Sequence, residues 1–516
     1  MTKSALPRRG LLVGAAATVI GWNTAGRSWA VAGTDGTTGP DGTAGAGGEA
    51  GSAASPPAFA ALPPLDGSVV ADPATLARFG GDFGHLVTTA PRAVLRPGSV
   101  RDVAAVVGFA HRHRIPVAMN GQSGDGVGGA SELESHSSYG QAGAPGGIAV
   151  DARGLGRILS VTPGRAVVEA GVTWAQLTDA ALAQGWAPPC LTDFLHLSVG
   201  GTLSVGGIGG AVHRYGLQVD TVESVDVVTG TGRLVTASPT ANRDLFDAVL
   251  AGGGQAGIIV RATLRLVRAR ERALVFNLFY DDLAVYLADQ ERLMTERRFD
   301  LQVGEVVRNA AGTGWRYKVE AVAHYDGAAV PDRAALLRGL RCVAAETTVV
   351  DQTAREYAFR VDGFAGYLKA AGLWEQPKPW LSLFLPASTT AAFMREAEAL
   401  LTPADLGAGL LLFHPYRTDR LTRPMAVMPA EPVAWHFDLL SFPAPGADSA
   451  AALRRNRLLY DRAVALGGKR YLVGAIPGMT RTDWRRHYGT RWAAAVAAKQ
   501  RYDPAGILTP GQGIHG

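Results

Sequence analysis

Hydrophobic positions after residue 57 alternate between the spacings of strands and of helices. Residues 93–97 form a short apolar run that ends in proline, which predicts a buried strand. Apolar residues then fall at positions 100, 103, 106, 107 and 110, the spacing of a helix face. Ser99 and Asp102 stand where a capping box would begin that helix, and residues 116–119 predict the next strand. Such strand–helix–strand units predict layers of helices on a sheet.

The first 57 residues lack this alternation. Arg8 and Arg9 precede an apolar stretch at 11–20, and residues 30–32 (Ala-Val-Ala) offer a small-residue cleavage site, so residues 1–32 are interpreted as an export signal. The apolar stretch is shorter than the roughly 20 residues that span a bilayer, so no stable membrane insertion is expected. The paired arginines favour the twin-arginine route; an ordinary secretory signal and an uncleaved anchor are the alternatives. Residues 33–57, rich in Gly, Ala, Thr and Ser, predict a flexible linker.

Composition narrows the function classes. The 516 residues suit two domains, and 47% hydrophobic with 18% charged residues is a globular balance. Lys and Arg number 50 against 45 Asp and Glu and are scattered, so no nucleic-acid partner is indicated. Cys190 and Cys342 lie in no CxxC or Cys/His cluster, so no metal site is expected. One disulfide is possible, but two separate buried thiols are favoured.

Glycine-rich segments are the first candidate binding feature. Residues 121–129 hold five glycines, and a second glycine-rich set follows at 140–147. Such loops let backbone N–H groups approach a pyrophosphate, although a mobile surface loop has the same composition. The chain has no GxGxxG at a strand-to-helix turn and no GxxxxGK[ST] loop. A Rossmann site or a P-loop is therefore not predicted.

Residues 135–151 carry a His-Ser pair, then Gly-Gln, Gly-Gly and a hydrophobic strand that ends in Asp. This order resembles the cytokinin dehydrogenases of the vanillyl-alcohol-oxidase-type flavoproteins, in which that histidine is bonded to the flavin. The resemblance implies FAD as cofactor, with a covalent bond through His136 as the favoured arrangement and with Ser137 and Gln141 beside it. Residues 132–135 replace the Gly-Arg-Gly run that usually precedes the histidine. In a rival alignment Gln122 and Ser123 follow Gly121 at that position, and the flavin would be non-covalent.

Residues 191–210 carry the longest match. They closely resemble the Thr-Asp-Tyr-Leu-His-Leu-Thr-Val-Gly-Gly-Thr-Leu-Ser segment of plant cytokinin dehydrogenases, which implies Asp193 as the catalytic aspartate. Residues 253–259 match the end of the FAD domain of this group, and residues 471–512 resemble the segment that returns to the flavin. The further cofactor-binding residues that these matches imply are Thr192, Asp193, Gly200, Gly201, Thr202, Ser204, Gly257, Ile258, Ile259, Tyr471 and Gln512.

The part of the chain that resembles the substrate-binding cap contains one match and one departure. Residues 372–381 resemble a cap signature that implies Trp380 in the substrate cavity, with a core tryptophan as the alternative; Leu472 is a second implied substrate contact. Residues 299–305 depart from the family, because an ungapped match places Val303 where plant members have a glutamate. Glu305, two residues on, would face the same side of a strand and is a second catalytic candidate.

The resemblance covers residues 57–516 and implies an α+β, two-domain PCMH-type FAD-binding fold. A discontinuous FAD domain (58–268 and 471–516) would carry a cap (269–470) over an antiparallel sheet. The implied reaction is oxidation of the side-chain amine of N6-substituted adenines by hydride transfer to FAD, with oxygen or a quinone-like molecule as electron acceptor. A buried carboxylate suits the proton-accepting role, because burial raises its proton affinity. The alternatives are an FAD-linked oxidase or dehydrogenase of another amine, alcohol or sugar, and a non-catalytic secreted flavin- or purine-binding protein.

Overall fold

The computed structural model describes residues 19–23, 28–31, 58–121, 134–309 and 311–515. The strands are β1 (Val19–Asn23), β2 (Ser28–Val31), β3 (Ala58–Ala61), β4 (Ser68–Val70), β5 (Ala93–Arg96), β6 (Val117–Asn120), β7 (Ile148–Asp151), β8 (Ile158–Thr162), β9 (Arg165–Glu169), β10 (Trp186–Ala187), β11 (Val222–Val228), β12 (Leu234–Ala237), β13 (Ile258–Arg265), β14 (Val267–Arg268), β15 (Arg272–Tyr280), β16 (Leu301–Arg308), β17 (Trp315–Tyr325), β18 (Thr348–Thr353), β19 (Leu381–Pro386), β20 (Leu410–Arg417), β21 (Val433–Leu440) and β22 (Lys469–Gly474).

The α-helices are α1 (Pro73–Gly80), α2 (Val100–His113), α3 (Trp174–Leu182), α4 (Val199–Val205), α5 (Val212–Tyr215), α6 (Arg243–Val249), α7 (Leu283–Glu296), α8 (Arg333–Leu337), α9 (Ala354–Ala358), α10 (Asp362–Ala370), α11 (Ala387–Leu400), α12 (Pro403–Leu406), α13 (Ser449–Ala465), α14 (Arg481–Tyr488) and α15 (Trp492–Tyr502). In the described part of the chain, no helix is long and apolar enough to cross a membrane.

The first domain is built mainly on two sheets and also contains a two-stranded sheet of β10 and β14. A four-stranded sheet has the order β4-β5-β7-β6, in which β7 runs parallel to both β5 and β6. A five-stranded antiparallel sheet follows in the order β12-β11-β13-β9-β8. Its core contains Trp174, Leu203 and Phe246, which are contributed by helices on the sheet. The predicted strand–helix–strand unit is therefore present as β5, α2 and β6.

The start of α2 differs from the sequence prediction. The Ser99 side chain makes no cap bond to the helix; its Oγ donates to Asp66 Oδ2 at 2.7 Å. Asp102 accepts backbone N–H bonds from Asp66, Gly67 and Gly98 at 2.7–2.8 Å. The predicted capping box is wrong, because Asp102 binds the preceding loop in a tertiary contact that local spacing does not encode.

The second domain is built on an eight-stranded antiparallel sheet with the order β18-β15-β17-β16-β20-β21-β19-β22. Side chains alternate between the two faces of each strand. On β21, Trp435, Phe437 and Leu439 enter the core under α7, α11 and α13, whereas His436 and Asp438 face the opposite side. That opposite face is turned toward the first domain and carries most of the polar chemistry described below.

The end of the chain returns to the first domain. Val117 of β6 forms a parallel bridge with Leu508, and Ile507 and Leu508 enter the core of the four-stranded sheet. The Asp503 carboxylate accepts from the backbone N–H groups of both residues and lies 2.7 Å from Lys499 Nζ. The expected two-domain α+β fold with a discontinuous first domain is confirmed. Strand β22, at residues 469–474, spans the boundary predicted at 470/471 and belongs to the eight-stranded sheet.

Both cysteines are free thiols. Cys190 is buried and Cys342 is half-buried, so the favoured prediction of separate thiols is correct and full burial applies to Cys190 alone. Burial raises the pKa of the Cys190 thiol above its usual range. Within the described residues, no group of three His, Cys, Asp or Glu side chains is placed to hold a metal ion.

Candidate active site

A cavity of about 650 Å³ lies where the first domain, the eight-stranded sheet and the returning chain meet. The predicted residues that line it are Gly121, His136, Ser137, Gln141, Thr192, Asp193, Gly200, Gly201, Thr202, Ser204, Gly257, Ile258, Ile259, Glu305, Trp380, Tyr471, Leu472 and Gln512. Gln122 and Ser123 lie outside the described residues, so the rival alignment stays an alternative. The fold thus brings together side chains that are hundreds of residues apart.

His136 is buried in the cavity wall against aromatic rings. Its ring stacks on Phe83 with centroids 4.0 Å apart and an interplanar angle of 19°. Burial and the nearby charge of Lys378 lower the pKa of His136 to about 3, so the imidazole is neutral. Among the described residues, His136 Nδ1 has no hydrogen-bond partner. A neutral imidazole with an unpartnered nitrogen is chemically suited to bond to a cofactor.

Lys378, which the sequence analysis did not single out, joins the two domains behind His136. Its Nζ donates to the carbonyl oxygens of Phe83 at 2.8 Å and Gln376 at 2.9 Å, and it lies 4.2 Å from the centroid of the Phe83 ring. Burial lowers the pKa of Lys378 to about 7. This lysine fixes the ring on which His136 stacks.

Glycines keep part of the cavity wall free of side chains. A Cβ at Gly121 would lie 2.5 Å from Ser198 Oγ, and a Cβ at Gly201 would lie 2.8 Å from the same atom. At Gly200 a Cβ would meet Ala170 Cβ at 2.7 Å. Distances below 3.0 Å are not tolerated without a shift, so these positions favour glycine. These three glycines therefore pack closely against the protein itself, and they form part of the cavity wall.

The cavity wall fits a large cofactor with both polar and aromatic parts. It offers the unpartnered His136 Nδ1 at one place and Gln512 Oε1, also buried without a described partner, at another. The glycines that line the cavity all belong to the first domain. These are the contacts that an FAD molecule would need for its ring and its polar groups.

The second glycine set does not supply the backbone donors that its composition suggested. The N–H groups of Gly140, Gly143, Gly146 and Gly147 donate to protein acceptors, among them Asp82 Oδ2 at 2.6 Å from Gly140 N. These four donors are therefore engaged in holding the loop. Of the two interpretations of this segment, an anion-binding nest is therefore not supported for these four donors, because loop closure uses the same N–H groups.

Gln141 lines the cavity but its amide acts as a brace. Its Oε1 accepts from the backbone N–H groups of Ser138 at 3.0 Å and Tyr139 at 2.7 Å. Its Nε2 donates to the Gly474 carbonyl at 2.9 Å, at the end of β22. Gln141 therefore ties the His136 loop to the eight-stranded sheet.

Asp193 forms an ion pair across the domain boundary. Its Oδ1 accepts from Arg360 Nη2 at 2.6 Å, while Arg360 Nε donates to Glu320 Oε1 at 2.9 Å. Glu320 also accepts from Tyr357 OH at 2.8 Å, and the Arg360 guanidinium lies 4.2 Å from the centroid of the Tyr357 ring. Asp193 Oδ2 has no hydrogen-bond partner among the described residues. One carboxylate oxygen is thus fixed, and the other is available to a ligand.

Glu305 and Val303 both face the cavity from β16, as expected for positions two apart on a strand. The neighbouring strand places Glu320 opposite Val303 and Lys318 opposite Glu305. Lys318 Nζ lies 2.7 Å from Glu305 Oε1. Burial raises the pKa of Glu305, and the charge of Lys318 opposes that shift. The position across from Val303 therefore carries a carboxylate, Glu320, supplied by another strand.

Aromatic rings line the rest of the cavity. The Trp380 ring centroid lies 5.1 Å from that of Phe83 and 5.7 Å from that of Phe442, and Trp374 lies 4.9 Å from Phe83. Trp380 Nε1 donates to the Ser441 carbonyl at 3.0 Å. Trp380 is therefore both buried in a small aromatic core and part of the cavity wall. This wall excludes water from any apolar group placed beside it.

Several polar lining residues were missed by sequence reasoning. They are Lys318, Glu320, Arg360, His414, His436 and Asp438. A signal existed for two of them, because His436 and Asp438 alternate with Trp435, Phe437 and Leu439 along β21. Polar residues on one face of a strand that is apolar on the other face point either to solvent or to a site.

Comparison with known proteins places this geometry in a family. Residues 91–238 match the family described as an FAD binding domain. Residues 307–515 match the family described as cytokinin dehydrogenase 1, FAD and cytokinin binding. The two matches together cover both sides of the cavity, including Asp193, Glu320 and Trp380.

Individual relatives agree with the family matches. An uncharacterized oxidoreductase of the fasciation locus of Rhodococcoides fascians is 37% identical over 441 residues, which is 85% of this chain and 97% of that protein. Cytokinin dehydrogenase 1 of Oryza sativa subsp. japonica is 35% identical over 518 residues, covering 89% and 94% of the two chains. Cytokinin dehydrogenase 10 of the same plant is 34% identical, covering 84% and 86%. The chain belongs to the cytokinin dehydrogenase family of FAD-dependent oxidoreductases.

Proposed function

We propose that this oxidoreductase oxidises the side-chain amine of N6-substituted adenines. The observation that carries the proposal is the position of Asp193, whose free oxygen faces a cavity with an aromatic wall and with His136 in its lining. Relatives that are named cytokinin dehydrogenases support the same substrate class. Hydrolysis of the imine product would release adenine and an aldehyde. The electron acceptor is oxygen or a quinone-like molecule.

FAD, when bound, supplies the acceptor for a hydride from the carbon beside the substrate nitrogen. As that C–H bond breaks, the nitrogen loses its proton and a C=N bond forms. We assign Asp193 Oδ2 as the acceptor of this proton, because Oδ1 is occupied by Arg360. Arg360 is a positioning residue that fixes the carboxylate from the opposite domain. Glu305 stays a second candidate, held by Lys318.

The apolar part of the substrate would pack against Trp380 and the neighbouring aromatic rings. Leu472 of β22 also lines the cavity, and it packs with Trp484 and Tyr488 rather than with the rings around Trp380. Exclusion of water there strengthens every electrostatic contact of Asp193 with the substrate. The glycine-lined wall and Gln512 would hold the cofactor, and His136 would bond to it covalently.

The test begins with the visible spectrum of the purified protein. Isopentenyladenine is added without oxygen, with adenine alone as the matched ligand that has no side-chain carbon to oxidise. Rapid bleaching of the yellow band by isopentenyladenine but not by adenine is expected. A yellow protein that bleaches with neither ligand contradicts the substrate assignment and favours another amine, alcohol or sugar. A yellow protein that binds both ligands but is bleached by neither would support the non-catalytic alternative.

Acid precipitation of the same sample tests the covalent bond. Yellow colour that stays with the precipitate is expected for attachment through His136, and the His136→Ala variant should release its flavin. Free flavin from the wild-type protein would instead support the rival alignment at Gln122.

A further inference from the structure

A second group of polar side chains faces the cavity from the eight-stranded sheet. His414 on β20 lies directly opposite His436 on β21, and Asp438 lies two residues beyond His436 on the same face. All three line the cavity. The two imidazole centroids are 5.6 Å apart, and His436 Nε2 is 3.9 Å from Asp438 Oδ2. We call these three residues the His–His–Asp cluster.

His436 is the least satisfied member of the cluster. It is 2% exposed, and in the part of the chain that the structure describes neither of its ring nitrogens has a hydrogen-bond partner. His414 Nε2 lies 2.9 Å from Tyr416 OH, and Asp438 Oδ1 accepts from Ser382 Oγ. A buried polar group without a partner costs about 1–3 kcal/mol, so a native site is expected to supply one.

Burial fixes the chemical character of the cluster. It lowers the pKa of His436 well below its usual value and that of His414 to about 4, so both rings are neutral. Each neutral imidazole offers one N–H donor and one acceptor nitrogen. Burial, opposed by the bond from Ser382 and reinforced by the charge of Asp193, raises the pKa of Asp438 to about 7. Asp438 is therefore only partly ionised near neutral pH.

Two neutral imidazoles beside a partly protonated carboxyl favour a neutral ligand group that both donates and accepts hydrogen bonds. An alkyl group would leave both nitrogens of His436 unpaired, and an anion would meet the Asp438 carboxyl at close range. A hydroxyl matches, because it donates one hydrogen bond and accepts others. Leu410, Leu412 and Leu440 supply an apolar part of the lining on the same two strands. The Tyr471 ring lies on another side of His436, with centroids 6.2 Å apart. An apolar chain that carries one hydroxyl therefore fits this part of the cavity wall.

We propose that the His–His–Asp cluster binds a hydroxyl on the N6 side chain of the substrate and makes the enzyme selective for hydroxylated side chains. The proposal rests on the proposed function and deepens it. His436 contributes specificity by direct contact, and His414 and Asp438 complete the hydrogen bonds of the hydroxyl.

The test compares two ligands that differ by one atom, isopentenyladenine and its side-chain 4-hydroxy analogue. Anaerobic stopped-flow reduction gives a dissociation constant for each ligand with the same protein. The wild-type protein should bind the hydroxylated ligand about tenfold more tightly, the value of one net hydrogen bond. In His436→Phe the ratio of the two dissociation constants should fall to about one. His436→Gln keeps a donor and an acceptor, so most of the preference for the hydroxylated ligand should return. Phenylalanine fits the site, because the His436 ring already lies against Phe384 and Tyr416.

The matched control is His487→Phe. His487 is equally buried, also lacks described partners for both ring nitrogens, and is not part of the cavity lining. This variant should keep the selectivity of the wild-type protein. Equal binding of the two ligands by the wild-type protein overturns the inference, and so does an unchanged ratio in His436→Phe. If neither ligand bleaches the flavin, the proposed function fails together with the inference. This result can be distinguished from failure of the inference alone, in which both ligands still bleach the flavin.

Discussion

Replacement of Asp193 by asparagine isolates the proton transfer assigned to this side chain. The amide keeps the size of the carboxylate, and its oxygen retains a bond to Arg360 Nη2, which Asp193 Oδ1 now makes at 2.6 Å. What Asp193→Asn removes is the proton acceptor at Oδ2. General-base catalysis contributes about 10²–10⁴ in rate, which corresponds to about 2.7–5.5 kcal/mol of activation free energy. We therefore expect the limiting rate of flavin reduction to fall by about two to four orders of magnitude.

Anaerobic stopped-flow spectroscopy separates this effect from binding. The limiting rate at saturating isopentenyladenine should fall, while the dissociation constant should change by less than about threefold, because the aromatic wall is untouched. Asp179→Asn is the matched control, since Asp179 forms a comparable pair with Arg355 at 2.7 Å outside the cavity. A limiting rate within about fivefold of wild type would refute the assignment and direct attention to Glu305.

Further predictions concern stability and export. Arg360→Met should lower the free energy of unfolding by about 3 kcal/mol in urea titrations, because it leaves two half-buried carboxylates unpaired; a loss below about 1 kcal/mol would contradict this. The pKa of Asp438 is raised to about 7 in the folded chain, against about 3.9 for an unfolded aspartate. The folded state therefore binds the extra proton between these values, and stability falls as pH rises from 4 to 7. The Tm of Asp438→Asn relative to that of the wild-type protein should therefore rise as the pH is raised from 4 to 7. A Tm difference that stays constant would argue against the raised pKa of Asp438. We also propose export by the twin-arginine route, for which Arg8→Lys with Arg9→Lys should leave the precursor inside the cell; unchanged export would favour an ordinary secretory signal.

Part of the candidate site could be predicted from local sequence. Asp193, His136 and Trp380 each lie within a continuous motif, and each lines the cavity in the structure. Glu305 was placed on the cavity face by the family match at Val303 together with the two-residue repeat of a strand. The catalytic, binding and covalent roles of these residues stay predictions that the experiments above test.

Other features could not be predicted, because they depend on which parts of the chain become neighbours in the fold. Asp193 meets Arg360 across 167 residues of sequence, and neither residue's surroundings indicate the other. The glycines at 140–147 illustrate the converse error, since their composition predicts open N–H groups that loop closure then uses.

Motifs that resemble the cytokinin dehydrogenases indicated the family, and the resemblance implied the FAD cofactor and the two-domain α+β fold. Hydrophobic periodicity added only the strand–helix–strand layers, because both signals are local properties of the chain. Only the tertiary structure decided which charges and polar groups face the substrate. The register of β20 with β21 places His414 opposite His436, and that of β16 with β17 places Glu320 opposite Val303. A shift of one residue in either pairing would turn these side chains into the core. The chemistry of the cavity is therefore set by sheet register, which is fixed only when the whole core packs.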